Sequence, residues 1–286
     1  MPQPGISIIT PVYNSEKYIT ACIESVIAQQ CPVAEHIIVD GNSTDRTVDI
    51  IKRYANTYSH IRWLSEKDRS PAEAMNKGLR LANAEILGFL NADDYYEPGV
   101  LNRVVSLFLD LPNPSLAVGN CLIWKETGTA SIWKSEKLRQ TDLLLWPILN
   151  PHPVNPVSYF YHKSIHDIIG PFDNNEEFLT DLDFLFKAVK AAHIYYYDET
   201  WGNYRFFKGT KTFDDHERGL AKERAHNFRE QFINSLPLFQ RLNIKCQRAI
   251  LPKIHPRAPY YANRLDYYVR RPKKIFEKIA EKLKKQ

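Results

Sequence analysis

The sequence predicts an α/β fold built on an open, mostly parallel β-sheet flanked by helices. Three observations carry this. Short apolar runs alternate with helical periodicities along the first hundred residues. Such alternation builds parallel sheets by right-handed crossovers. Several of the runs also end in polar residues, at the sheet edge where open α/β folds bind ligands.

The first strand is Ile6 to Thr10, followed by the loop Pro11-Val12-Tyr13-Asn14-Ser15. Ser15 is positioned to cap a helix from about Glu16 to Gln29, whose Tyr18, Ile19, Cys22, Ile23, Val26 and Ile27 share a face. His36 to Asp40 is the second strand and ends in a carboxylate. Gly41 to Asp45 has turn chemistry and leads into a helix from about Thr47 to Tyr58. Ile61 to Leu64 is a third strand, Ala72 to Asn83 a helix, and Glu85 to Leu90 a buried strand ending at Asn91-Ala92-Asp93-Asp94. Gly99 to Leu109 is a covering helix.

From Leu116 the pattern changes. Val118–Trp124 and Ala130–Lys134 read as strands joined by a turn at Gly128. Pro147, Pro151, Pro153 and Pro156 mark a loop. Asp181–Ala192 is an amphipathic helix, Ile194–Tyr197 and Gly202–Phe206 are two short strands, and a helix from about Asp215 to Ile233 closes the body. A basic helix pattern through Ile275, Ile279 and Leu283 ends the chain.

The 286 residues, 44% hydrophobic and 25% charged, suffice for one large domain and an appendage. The expected organisation is a body over 1–240, with halves at 1–110 and 111–240, and a basic extension over 241–286. The extension has 14 Lys and Arg against 3 Asp and Glu, net +11. The body is then net −6, although the whole chain is +5. A basic tail of this kind seeks phosphates. Residues Arg270 to Leu283 divide into an apolar side and a basic remainder, the pattern of a helix lying on an anionic membrane surface.

Cys22, Cys31, Cys121 and Cys246 lack both C-x-x-C and zinc spacing, which points to reduced thiols in the cytoplasm. The first strand begins almost at once, with no basic and apolar leader before it, so no signal peptide is expected. The best apolar run, Leu143 to Leu149, is too short for a membrane span and contains Pro147.

Asp93 and Asp94 are adjacent acids at a strand end, where mutual repulsion asks for a cation. Mg²⁺ or Mn²⁺ is commonly held by one or two carboxylates plus substrate phosphates. The same pair would also suit the start of a helix near Gly99. Asp40, beside Gly41, is placed either to accept a hydrogen bond from a base or ribose or to close an Asx turn.

Taken together, TPVYNSEKYI, then IIVDGNSTDRTVDII, then WLSEKDRSPAEAMNKGLRLANAEILGFLNADD closely resembles the family 2 inverting glycosyltransferases of the GT-A fold. The resemblance covers residues 5–110 strongly and continues more loosely to about 213. It implies nucleotide binding by Thr10, Pro11, Tyr13, Asp40 and Asp68. It implies Asp93 at the ribose and metal, and Asp94 as the principal ligand of Mg²⁺ or Mn²⁺. It also implies a catalytic base in the acidic motif opening a helix after the sheet edge. Asp181 fits that motif, with Asp183 as the competing candidate; without the resemblance Thr180-Asp181 is only a good helix start.

The implied reaction moves a sugar from a nucleoside diphosphate, UDP-linked, to a glycan or lipid-linked acceptor; the composition of the tail adds peripheral membrane contact, and no nucleic-acid partner is expected. Asn42, Arg46 and Ser70-Pro71-Ala72-Glu73 depart from the family wording, as does the absence of a His near Phe207. Arg205, Lys208 and Lys211 remain to contact the pyrophosphate from that last loop. A sugar-nucleotide nucleotidyltransferase is the first alternative, but Thr10 to Ser15 lacks the Gly-rich, Arg- or Lys-bearing loop expected of one. A non-catalytic glycan- or membrane-binding module is the second, and would be expected to have lost Asp94 or the base.

Overall fold

A computed structural model of the chain describes residues 4–135, 138–145, 152–174 and 179–254. The described residues divide into two compact units, with boundaries after Leu138, before Pro153 and after Ala225.

The larger unit holds the sheet. β1 (Ile6–Val12), β2 (Ala34–Asp40), β3 (Ile61–Ser65) and β4 (Ile86–Phe89) alternate with α1 (Ile19–Ile27), α2 (Thr47–Thr57) and α3 (Pro71–Leu81). These four strands lie side by side as β3-β2-β1-β4, all parallel. Ile6, Ile8, Ile9, Ile37, Ile38 and Val39 are fully buried, as expected of strands covered on both faces. Register places Val12 beside Asp40 and Asp40 beside Ser65, so the polar loops emerge at one sheet edge.

Helix α3 is capped at its start and packed closely on β1. Ser70 accepts a hydrogen bond from Glu73 N and Pro71 occupies the first turn, while Glu73 accepts from Arg69 N. The unusual Ser70-Pro71-Ala72-Glu73 wording is therefore a helix start. At Gly78 the helix meets Ile9 so closely that a Cβ would clash with its side chain.

Beyond β4, where the sequence pattern also changes, the sheet becomes mixed. β5 (Tyr95–Tyr96) and α4 (Val100–Phe108) follow, then β6 (Ser115–Lys125) and β7 (Ala130–Trp133). The order continues β4-β8-β6-β9-β5, with β8 (Tyr159–His162) antiparallel to both neighbours and β9 (His193–Phe206) parallel to β6. The segment read as a Pro-rich loop thus contains a buried strand, and also α6 (Ile165–Ile169). Pro156 sits in a short 3-10 turn where its missing N–H is harmless. The two short strands expected over 194–206 are one strand, continuous across register shifts opposite Val118–Cys121. α7 (Thr180–Ala191) matches the expected helix.

The expected closing helix is two: α8 (Lys211–Glu217) and α9 (Leu220–Ser235), broken at Gly219 with φ 72°. Ser15 does not cap α1. Its hydroxyl donates to Tyr13 O, and the helix begins after Tyr18.

The smaller unit contains α5 (Gln140–Leu145), the end of α9, and α10 (Leu238–Ile254). Arg229 Nε donates to Leu143 O and Arg248 to Leu144 O, satisfying carbonyls at the end of α5. Arg248 also pairs with Glu230. The basic pattern expected over 270–283 lies outside the described residues.

Candidate active site

The ends of β1, β2 and β3 form one side of the site. Tyr13 is 60% exposed. A Cβ built at Gly41 would lie 3.6 Å from Tyr13 Cδ2 and 3.3 Å from Asp68 Oδ2. The phenol, the bare backbone of Gly41 and the Asp68 carboxylate therefore converge. Half-buried Pro11 lies on the same strand end.

Asp40 is fully buried. Oδ2 accepts from Ser43 N (3.0 Å) and Ser65 Oγ (2.7 Å), and Oδ1 accepts from Ser43 Oγ. It holds the turn after β2 by accepting from a backbone N–H three residues on. Thr10 is also fully buried, and its hydroxyl lies 2.9 Å from Nε2 of His36 in the core. Burial pulls His36 down to about 3, so the ring is neutral. The Thr10 side chain is thus turned into the core toward β2.

Lys77, projecting from α3, lies 2.5 Å from Asp68 Oδ1 and 2.8 Å from Glu66 Oε1. Burial raises the Asp68 carboxyl, and the ammonium offsets only part of that effect. Burial would lower Lys77, but the two carboxylates outweigh it and hold the ammonium above its ordinary value. One residue earlier, Asn76 donates to Phe172 O and accepts from Phe172 N, both at 2.9 Å. The same helix therefore holds the Asp68 loop and the segment leading toward α7.

The acidic doublet divides sharply. Asp94 has no exposed surface. Its Oδ1 accepts from Arg205 N (3.0 Å), and its Oδ2 from Asn155 Nδ2 (2.8 Å) and Asn91 Nδ2 (3.2 Å). The carboxylate expected to hold a metal is engaged with the protein, where it ties the β4 end to β9 and to the turn before β8. Asp93 is the half-buried member that reaches the surface. Burial raises both carboxyls, and the charge of Asp93 adds to the rise at Asp94.

Arg205 adds a fixed cation. Its Nη1 donates to the Asp93 carbonyl at 2.9 Å, and its guanidinium lies 4.7 Å from the Tyr95 ring centroid. Lys208 is exposed in the loop after β9, its backbone N–H donating to Glu126, and Lys211 opens α8.

Asp181 and Asp183 lie in the first turn of α7. Asp183 is paired with Lys187 at 2.6 Å, one helical turn on. Asp181 is half-buried, and among the described residues the Tyr159 hydroxyl donates to it at a long 3.4 Å. Burial raises its carboxyl to about 6, and Tyr159 opposes the rise. A carboxylate with that value exchanges protons near neutral pH, as a general base must.

Asn155 and Tyr159 were not legible as site residues. Both belong to one run, with Asn155 capping the 3-10 turn by accepting from Val157 N (2.8 Å) and donating to Asp94, while Tyr159 reaches Asp181. The only sequence signal is the Asn-Pro pair, which reads equally well as an ordinary turn. Ser65 and Ser43, the partners of Asp40, carried no signal beyond turn composition.

A parallel sheet edge lined by polar loops, an acidic doublet at the end of its β4 strand and a raised carboxylate opening α7 are features of a GT-A-type glycosyltransferase. The chain belongs to glycosyl transferase family 2, whose model matches residues 7–169. It is 30% identical to a PGL/p-HBAD biosynthesis glycosyltransferase of Mycobacterium bovis over 90% of this chain and 95% of that protein. It is 27% identical to the uncharacterized glycosyltransferase YibD of Escherichia coli, covering 96% of this chain and 83% of the relative. The fold is similar to S. aureus TarS 1-349 in complex with UDP, with TM-score 0.63 and 19% identity over 90% of this chain and 74% of that one. The chain spans 43% of the longer S. aureus TarS structure, at TM-score 0.62. It also resembles the mannosyltransferase PcManGT of Pyrobaculum calidifontis in complex with GDP-Man and Mn²⁺, with TM-score 0.55 and 17% identity over 96% of this chain and 83% of that one. These relationships set aside the nucleotidyltransferase and the non-catalytic module.

Proposed function

We propose that this glycosyltransferase transfers a sugar from a UDP-linked donor to a hydroxyl of a glycan or lipid-linked acceptor, with inversion at the anomeric carbon. The observation that carries the reading is how the acids are engaged. Asp183 is held by Lys187 and Asp94 by three donors, which leaves Asp181 and Asp93 as the acids of these two pairs that can meet ligands. Asp181, raised to about 6, takes the acceptor hydroxyl proton as that oxygen bonds to the anomeric carbon. The bond from that carbon to the diphosphate oxygen breaks, and its electron pair leaves with UDP.

Tyr13, Gly41 and Asp68 offer a ring face, a close backbone and an acceptor to the nucleoside. Arg205, anchored on the Asp93 carbonyl, offers positive charge to the diphosphate. Asp93 is the member of the doublet that fits a divalent ion: burial raises both carboxyls, and Asp94 is engaged with the protein. Among the described residues no cluster of three His, Cys, Asp or Glu side chains forms a metal cage. Asp93, with the diphosphate of a bound donor, would hold such an ion. Bound Mg²⁺ or Mn²⁺ would neutralise charge on the leaving group. PcManGT was solved with Mn²⁺ and TarS with UDP-GlcNAc, which supports an ion and a uridine donor by analogy of fold alone.

Incubation with a panel of nucleotide sugars, with Mn²⁺, Mg²⁺ or chelator, tests the reading. Slow metal-dependent hydrolysis of one UDP-sugar is expected, and acceptor product should have inverted configuration. Exclusive use of GDP-sugars, full activity in excess chelator, or retained configuration would each overturn the corresponding part.

A further inference from the structure

Helix α10 presents an unusual exposed face. Leu238, Phe239 and Leu242 are 61%, 82% and 52% exposed, and Cys246 and Ala249 are exposed as well. At the α-helical turn these five fall within an arc of roughly 100°, the width of an amphipathic stripe. Ile244, at 3% exposure, marks the opposite, buried side. Exposed Lys245 and half-buried Arg241 border the stripe. The helix carries Arg241, Lys245, Arg248 and Lys253 and no acidic residue.

We propose that this stripe docks on an anionic lipid surface, with the helix lying flat. Contiguous apolar side chains bordered along one flank by Lys245 and Arg241 suit the boundary between headgroups and acyl chains. The charge argues against two other occupants. A second copy would bring the same acid-free helix, with Arg241, Lys245 and Lys253 beyond the Arg248 paired to Glu230, against itself. The chain's own residues 255–286 contain ten Lys and Arg against three acids and are repelled in the same way. An anionic surface attracts both. The helix does not cross the bilayer: none of the described helices is long and apolar enough to span one. The surface is distinct from Arg270–Leu283, where the sequence alone places membrane contact, and it does not depend on the donor or acceptor proposed above.

The test uses the full chain with vesicles of phosphatidylcholine alone or mixed with phosphatidylglycerol. Sedimentation with the anionic vesicles at low salt, and not with the neutral ones, is expected. Phe239→Glu and Leu242→Glu, both at exposed positions, should weaken partition by on the order of tenfold or more while thermal melting and donor hydrolysis stay unchanged. In a Cys31→Ser background, a polarity-sensitive label on exposed Cys246 should shift to the blue on anionic vesicles, Cys22 and Cys121 being buried. The inference fails if the intact protein ignores anionic vesicles, if Phe239→Glu binds them as well as the parent, or if the label does not shift. It also fails if light scattering shows a dimer that Phe239→Glu converts to monomer, because the stripe is then a self-association face.

Discussion

The end of β4 and the start of α7 each carry two acids two residues apart or less, and they hold them differently. At β4, Asp94 is clasped by donors from Asn91, Asn155 and Arg205, and Asp93 is presented above it on a rigid support. At α7, Asp183 is tied to a neighbour on its own helix, and Asp181 is left with one long contact from Tyr159. The first arrangement suits an acid that must stay in place to position charge. The second suits an acid that must gain and lose a proton. In both pairs the acid the protein holds tightly is the one least available to a ligand.

The largest expected effect breaks or confirms the α7 side. Asp181→Asn should lower transfer by a factor on the order of 10²–10⁴ while donor binding persists. In the parent enzyme the rate should fall as pH drops through about 6, because the base must be ionised. Stability carries the opposite sign. The folded value lies above the ordinary 3.8, so the folded state binds the proton more tightly than the unfolded chain. The contribution is fully present below about pH 4 and is lost as pH rises through 6. Asp181→Asn should therefore melt higher than the parent above pH 7, by on the order of 1–3 kcal/mol. Lower stability together with unchanged transfer would remove Asp181 from the base role.

The two members of the doublet should separate next. Asp93→Ala should abolish Mn²⁺-dependent nucleotide binding with little change in melting temperature. Asp94→Ala relieves repulsion between the acids but leaves the buried Asn155 amide and the Arg205 N–H without their acceptor. The orphaned donors should dominate and lower stability by about 1–3 kcal/mol. A melting curve unchanged in Asp94→Ala but lowered in Asp93→Ala would reverse the assignment.

A smaller effect concerns Asp40. Asp40→Ala should weaken nucleotide binding by roughly 1–3 kcal/mol, measured by calorimetry. Ser65→Ala should leave affinity unchanged or tighten it, because a nucleobase N–H would no longer displace that hydroxyl from Oδ2. Equal affinity in Asp40→Ala and the parent would make Asp40 a turn residue only. The smallest effect should come from Asp183→Asn, which removes a partly exposed ion pair worth less than about 1 kcal/mol and should leave transfer unchanged. A base-like loss of rate there would move the assignment from Asp181 by two residues.

The sequence by itself determined the first four strands, the helices between them, and the edge at which Tyr13, Asp40, Asp68 and the doublet emerge. The reason is local: apolar period and turn chemistry are written in consecutive residues, and parallel βαβ units have one favoured connection. It also determined a short list of acids. Which acid of each pair is engaged depended on tertiary structure, because the donors to Asp94 come from residues 91, 155 and 205 and no window of sequence brings them together. The same holds for Thr10, whose hydroxyl is turned to His36 on a neighbouring strand, and for Asp40, closed by Ser65 of the strand beyond. β8 escaped for a related reason. Its four residues are buried on both faces and follow a proline, so they show neither alternation nor a helical period, and only pairing with β4 and β6 makes them a strand. Burial, which raises Asp181 to about 6, is a property of the packed unit around α7 and is not encoded by the Thr180-Asp181 pair alone.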